Sequence, residues 1–248
     1  MRYRPKNLQN KNPEVLYHLA KYNPYIARVY DYPELLLPHP RAKNFQEMLT
    51  RKNNENLGDS FPAKVHVEIG CGSSRYLIKL ALENPQDIFI GLELRYKRLV
   101  LSAKKIQKNN IRNIILLRER GEFLNEYLAH KSIDYLHVNF PDPWSKKTKR
   151  KHRILSKEFL TKMRPYFCSG GELRFKTDHL EYFKTVTQML KQLDSYSIEQ
   201  HTEDLHQSEF NSQNILTEFE LLFKSKGNPP NWISKSKNSL IKKFSYDF

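Results

Sequence analysis

The chain has 248 residues, with 42 Lys and Arg against 27 Asp and Glu, and a formal net charge of +15. That length suits one α/β domain with an extension, and that charge favours polyanionic partners, nucleic acid first, with salt-dependent binding. No stretch approaches the roughly 18 apolar residues of a membrane span, which argues against an integral membrane protein.

Cys71 and Cys168 match no zinc spacing, so no metal is expected, and both read as reduced thiols of a cytoplasmic protein. The start, Met1-Arg2-Tyr3-Arg4-Pro5-Lys6, lacks the apolar core of a signal peptide. Residues 1–60 have no strong period and read as an amino-terminal extension without an assigned role. Pro5, Pro13, Pro24, Pro33, Pro38 and Pro40 punctuate it, and Tyr17, Tyr22, Tyr25, Tyr30 and Tyr32 alternate with Lys and Arg. Such tyrosines either stack on bases or pack onto a neighbouring domain. Asn53 to Asn56 reads as the linker into the main domain, residues 61–248.

From Ala63 the pattern is regular. Val65–Gly70 reads as a strand, Arg75–Glu83 as a helix, Asp87–Glu93 as a strand and Arg95–Lys108 as a basic helix. Asn113–Leu117, Ile133–Asn139 and Gly171–Thr177 follow as strands, with helices at Glu122–His130, Leu155–Tyr166 and Tyr182–Leu193. Strict alternation predicts an α/β fold: a Rossmann-like, doubly wound, mostly parallel sheet of about seven strands with helices on both faces. Tyr196–Gln200 and Leu216–Phe223 complete the pattern as two late strands.

Gly70-Cys71-Gly72 lies between the first strand and its helix, where such a sheet holds a nucleotide and where glycine lets backbone approach a ligand. Glu68 stands just before it, and Glu93 ends the next strand, where a carboxylate suits ribose hydroxyls. A dinucleotide site wants a third glycine near Arg75, and Glu68 would repel a pyrophosphate. A cationic cofactor without phosphate fits better, and S-adenosylmethionine is one.

The stretch Asn139-Phe140-Pro141-Asp142-Pro143-Trp144-Ser145-Lys146-Lys147 follows the fourth strand. Two prolines forbid regular structure on either side of Asp142 and set it on a stiff turn at a strand end. Six Lys or Arg lie between Lys146 and Arg153, positioned to meet phosphates. Asp178, ending the fifth strand, is either a second functional acid or the cap of the next helix. Thr217 and Glu220, three apart on an expected strand, would point to opposite faces without a bulge.

Glu68-Ile-Gly-Cys-Gly, Gly91-Leu-Glu93, the Pro-Asp-Pro-Trp stretch, Lys176-Thr-Asp178 and Thr217-Glu-Phe-Glu220, in that order, resemble the bacterial tRNA (guanine-N7)-methyltransferase family over roughly Ala63 to Pro229. The resemblance implies S-adenosylmethionine as cofactor and transfer of its methyl to N7 of a tRNA guanosine, usually position 46 of the variable loop. It implies that Glu68, Glu93 and Asp142 touch the cofactor, that Asp142 is catalytic, and that Lys146, Asp178 and Thr217 to Glu220 meet the substrate. Gly70, Gly72 and Arg120 complete the expected cofactor site. Three features depart from the family pattern. Ser74 replaces a glycine, Arg120-Gly121 replaces an acid or amide followed by Ala, and the amino-terminal segment is long. Two rivals use the same sheet: a non-catalytic RNA-binding protein whose adenine pocket Arg120 spoils, and a nicotinamide-dependent oxidoreductase. Oligomeric state, monomer or homodimer, is left open.

Overall fold

The computed structural model describes residues 21–56, 63–225 and 239–242. The strands are β1 (Leu36–Leu37), β2 (Val65–Ile69), β3 (Ile88–Leu92), β4 (Ile114–Leu117), β5 (Ile133–Asn139), β6 (Phe167–Thr177), β7 (Gln200–Thr202) and β8 (Ser239–Lys242). The main helices are α1 (Ala42–Asn56), α2 (Arg75–Glu83), α3 (Tyr96–Lys108), α4 (Lys157–Met163), α5 (Leu180–Lys191) and α6 (Glu218–Ser225). Among the described residues the strands form one eight-stranded sheet, ordered β1-β4-β3-β2-β5-β6-β8-β7. Strands β1 to β6 run parallel, and β8 is antiparallel to both of its neighbours.

Every residue of β3 and β4 is buried, as parallel strands covered on both faces require. Alternation then divides the side chains. Ile88, Ile90, Leu92, Ile115 and Leu117 join the core that Phe45, Phe159 and Phe183 build on one face. Phe89, Ile114 and Leu116 join Leu77, Leu80, Leu99 and Val100 of α2 and α3 on the other. The same period matters more in the neighbouring strands. Val67, Leu136, Val138, Leu173 and Phe175 point into the first core. Their alternates His66, Glu68, His137, Asn139, Arg174 and Lys176 lie on the α2 side, where helix residue Tyr76 meets them. A row of polar groups therefore crosses the centre of the sheet. His66 Nε2 faces Asp87 at 3.2 Å, His66 Nδ1 faces His137 Nε2 at 3.2 Å, and His137 Nδ1 faces the Tyr76 hydroxyl at 3.1 Å.

Several sequence expectations change. The expected linker Asn53–Asn56 is the last turn of α1, a helix whose Phe45 and Met48 sit in the core. The extension adds the extra edge strand: β1 pairs with β4 in the register Leu36↔Leu116. Of its tyrosines, Tyr25 and Tyr32 pack on the second core, Tyr22 is 85% exposed, and Tyr17 lies outside the described residues. Glu122–His130 is not a helix but contributes to a 3-10 turn, Gly121–Glu126. The late strand expected at Leu216–Phe223 is α6, because Thr217 and Glu220 cap a helix there: Thr217 N donates to Glu220 Oε2 at 2.7 Å, and Glu220 N to Thr217 Oγ1 at 3.2 Å. The other late strand shifts to β7 and pairs with β8.

Gly91, in the middle of β3, leaves room for the turn after β2. A Cβ there would lie 2.9 Å from Cys71 Sγ, 3.0 Å from Leu77 Cδ2 and 3.1 Å from Leu116 Cδ2. Gly91→Ala is expected to lower unfolding free energy by about 1–3 kcal/mol through overpacking, read as a lower urea midpoint at unchanged slope.

Candidate functional site

The turn after β2 carries three left-handed residues, Gly70 (φ 77°), Gly72 (φ 57°) and Ser74 (φ 56°). Glycine adopts that conformation freely, whereas Ser74 holds it at a cost of about 1–3 kcal/mol. The surroundings impose it: Ser74 is fully buried, its amide bonds to Cys71 O at 2.8 Å, and its hydroxyl donates to Cys71 Sγ at 3.4 Å. Gly70 N and Cys71 N both donate to Leu92 O, at 2.8 and 2.9 Å, which ties the turn to the end of β3. Ser102 of α3 donates to Gly72 O at 3.1 Å.

Two acids flank this turn. Glu68 is 3% exposed, its Oε1 accepts from Asn139 Nδ2 at 2.9 Å, and its buried Oε2 has no hydrogen-bond partner. Burial raises its carboxyl to about 7, against the smaller lowering effects of Asn139 and Lys176. Glu93 is buried at the end of β3, and its Oε1 accepts from Leu94 N and Arg95 N, both at 2.8 Å. Both of these bonds use the same oxygen. An orphaned buried carboxylate oxygen calls for a cationic donor, and an acid with one oxygen spare of these amides suits hydroxyls. The donor set suits S-adenosylmethionine: Glu68 would hold its charged amino group and Glu93 its ribose hydroxyls.

The Arg120 side chain is 53% exposed. Its guanidinium pairs with Glu122 at 2.6 Å on the surface, and its amide donates to Glu119 Oε1 at 2.8 Å. Gly121 next to it is dictated by packing, since a Cβ would lie 2.6 Å from Ile69 Cγ2.

Beyond β5 the chain makes the Pro-Asp-Pro turn between two further left-handed residues, Phe140 (φ 48°) and Trp144 (φ 43°). Such strain persists only where neighbours over-determine the backbone. Phe140 N donates to Lys176 O at 2.8 Å, and its ring stacks on Phe219 of α6 at 4.7 Å. At the far end Arg153 Nε donates to Pro143 O at 2.7 Å, while Arg153 pairs with Glu181 at 2.5 Å and lies 4.5 Å over the Tyr182 ring. Between these braces Asp142 is exposed. Trp144 is 39% exposed, with its ring 5.4 Å from that of His152.

The basic trailer divides. Lys146, Lys147, Lys149, Lys151 and His152 are exposed around a 3-10 turn, Lys147–His152. Arg153 is buried and is a brace for the turn, which corrects its expected place among the phosphate-facing cations. Arg150 also leans on Glu181, at 3.2 Å.

Asp178 follows β6 and is partly buried, which raises its carboxyl above the ordinary range. It does not cap α5: His179 does, with Nδ1 accepting from Tyr182 N at 3.1 Å. Lys176 was not singled out by its own chemistry in the sequence. It is buried, donates to Ile215 O at 3.0 Å and to Asn214 Oδ1, and lies 3.9 Å from Glu220 Oε2. Thr217 and Glu220 are buried, committed to each other as the cap of α6, so the expected conflict of strand faces does not arise. Their Thr-x-x-Glu spacing was the signal. Glu218, next in the chain, pairs with Arg98 of α3. Among the described residues no group of three or more His, Cys, Asp or Glu could hold a metal, and no helix is long and apolar enough to cross a membrane.

A family profile described as "Putative methyltransferase" matches residues 62–231. The chain is similar to a tRNA (guanine-N(7)-)-methyltransferase of Enterococcus faecalis, 34% identical over 205 residues that cover 82% of this chain and 89% of that one. It is also similar to a bifunctional glycosyltransferase/methyltransferase of Fusobacterium nucleatum, 42% identical over 209 residues. That match covers 84% of this chain but 32% of the relative, so the chain spans about a third of its length. Among solved structures, the 16S rRNA methyltransferase KamB superposes with a TM-score of 0.55 at 13% identity, covering 81% of this chain and 94% of that one. At that identity the likeness establishes the fold alone.

Glu68 sets a pH dependence on the ligand-free protein. Its carboxyl rises from 4.5 to about 7 on folding, so its stabilising contribution is full below pH 4.5 and is lost as pH rises through about 7. His66 and His137, whose basicity burial depresses, act in the opposite sense on the acid side of neutrality. The difference between parent and Glu68→Gln therefore isolates the carboxyl. Glu68→Gln is expected to gain on the order of 3 kcal/mol relative to parent between pH 5 and pH 8.5, measured by urea melts across that range.

Proposed function

The chain belongs to the tRNA (guanine-N7)-methyltransferase family, and we propose that it transfers the methyl group of S-adenosylmethionine to N7 of a guanosine in tRNA, at position 46 of the variable loop. The observation that carries this is the role of Asn139. Its amide holds Glu68 at the cofactor end of the site, and directly after it the braced turn presents Asp142 to solvent.

S-adenosylmethionine, when bound, supplies an electrophilic methyl on a sulfonium. Guanine N7 carries an in-plane lone pair and no proton, so this chain needs no general base to make the nucleophile. Its residues must orient the base and offset the charge that spreads over the ring as N7 is alkylated. Asp142 suits both tasks: its oxygens accept from guanine N1–H and the 2-amino group, and its charge faces the developing cation. Asp178 is the second acid at this rim. Lys146, Lys147, Lys149 and Lys151 hold phosphates and set the register of the RNA. The 214–220 segment, which carries Thr217 and Glu220, lines the tRNA side through its backbone and the adjoining Phe140–Phe219 stack. Both thiols are free and Cys71 is buried, in keeping with a reduced, cytoplasmic setting.

Incubation of the pure protein with bulk tRNA and methyl-labelled cofactor should yield 7-methylguanosine. A different methylated nucleoside, or none, would overturn the proposal. Asp142→Ala should lower the rate by about 10²–10³ while filter retention of tRNA stays within about twofold.

The two kinds of cation separate in a salt titration. Lys149→Ala with Lys151→Ala should reduce the slope of log affinity against log salt by about 2 and leave folding unchanged. Arg153→Ala should instead lower stability by about 1–3 kcal/mol and keep the parental slope.

A further inference from the structure

Three adjacent strand ends place their inward groups on one face of the sheet. Glu68 of β2 takes the amide of Asn139 on β5, and Asn139 stands opposite Lys176 on β6 in the strand register. Lys176 is 5% exposed, a burial that a lysine rarely accepts unless its charge is engaged. The core does not ask for it, since Leu173 and Phe175 on the same strand serve the apolar face. Its ammonium donates to Ile215 O at 3.0 Å and to Asn214 Oδ1, and lies 3.9 Å from Glu220 Oε2. The ammonium nitrogen itself lies 5.2 Å from the centroid of the Tyr76 ring of α2, and the carbonyl of Lys176 accepts from Phe140 N at the head of the Pro-Asp-Pro turn.

We propose that Lys176 is the positioning residue that joins the two halves of the site: its buried ammonium pins the 214–220 segment beside Glu68, so that the surface offered to tRNA is set relative to the cofactor carboxylate. This rests on the function proposed above, which gives Glu68 to the cofactor and the 214–220 segment to the tRNA.

The charge balance agrees with that role. Around Glu68 stand Asn139 of β5, Lys176 of β6, Cys71 of the glycine turn and Tyr76 of α2; Tyr76 is also acted on by Arg174 of β6, which pairs with Glu172 at 2.8 Å, and by Glu220 of α6, which lies 3.8 Å from His206. Among these groups Lys176 is the cation that acts on Glu68, and Glu68 Oε2 has no hydrogen-bond partner. An incoming cation would supply that oxygen's partner in place of the proton that burial favours. Lys176 therefore acts on Glu68 by charge through space and on Asn214 and Ile215 by direct contact.

Those two routes separate in Lys176→Met, Lys176→Arg and Asn214→Ala. Equilibrium dialysis of S-adenosylmethionine from pH 6 to 8.5 should show parental affinity rising with pH through the neutral range. Lys176→Met is expected to move that midpoint to higher pH and to raise the KM for tRNA about tenfold while kcat falls less than about threefold. Lys176→Arg keeps the charge but replaces the compact ammonium with a bulkier planar fork that does not fit the same buried acceptors, so it restores the midpoint and not KM. Asn214→Ala should raise the tRNA KM about threefold or more with the midpoint at its parental position.

A folded Lys176→Met that leaves both midpoint and KM at parental values overturns the proposal. So does one that loses only melting temperature and kcat, which would mark a merely structural lysine. Should Lys176→Met not fold, Asn214→Ala decides, and a parental tRNA KM there overturns it. If the parent itself methylates no tRNA, the proposed function has failed on its own. Lys176 is then judged by the dialysis midpoint and by tRNA retention on filters, read by the same criteria.

Discussion

A single hydrogen bond, from Asn139 Nδ2 to Glu68 Oε1 at 2.9 Å, fixes the geometry on which the site depends. It joins the ends of two neighbouring parallel strands, so the glycine turn after β2 and the proline turn after β5 leave the sheet from one anchored point. It also satisfies only half of the carboxylate. Because Glu68 is buried, the other oxygen can be satisfied only by something that enters the site, or by a proton. Ligand-free, that need appears as a carboxyl raised to about 7; a cation in the pocket would supply the missing partner and draw the acid back to its charged form.

The turns around this anchor are strained, and the strain has identifiable supports. Ser74, Phe140 and Trp144 all hold left-handed backbone that costs a non-glycine residue on the order of 1 kcal/mol or more. Ser74 is held by burial and by Cys71, Phe140 by Lys176 O and the Phe219 ring, and the turn before Trp144 by Arg153 on Pro143 O. Arg153 spends its guanidinium on this brace rather than on solvent, with Glu181 and Tyr182 completing its surroundings. A stiff turn of this kind presents Asp142 in few conformations, which favours a residue whose task is orientation.

Much of this was legible in the sequence because period-2 alternation assigns faces. The alternation Val65, Val67, Ile69 against His66 and Glu68 gives both the core and the polar row, and β5 from Ile133 to Asn139 falls within its expected bounds. What alternation could not settle was local chemistry that competes with it. Leu216 to Phe223 alternates like a strand, but two reciprocal bonds between Thr217 and Glu220 satisfy the amide ends of a helix and decide the matter. Arg153 could not be told from the lysines before it, since a charge run carries no mark of which member finds a buried carbonyl and an aromatic face. β1 is two residues long, too short for any period, and exists because the open edge of β4 accepts it.

The histidine row shows how the same face can be polar without being part of the chemistry. With Asp87 ionised, His66 donates to it from Nε2 and accepts at Nδ1 from His137, which in turn accepts from the Tyr76 hydroxyl. Each bond then runs in one direction and every ring stays neutral, as their depressed basicity requires. Nothing in methyl transfer to an unprotonated nitrogen needs a proton moved along this row. Its effect is to fix Tyr76, whose ring centroid lies 5.2 Å from the Lys176 ammonium that bonds to the 214–220 segment. A satisfied network at the amino ends of β2 and β3 thus sets the orientation of groups at their carboxyl ends, where the unsatisfied oxygen of Glu68 is left for a ligand.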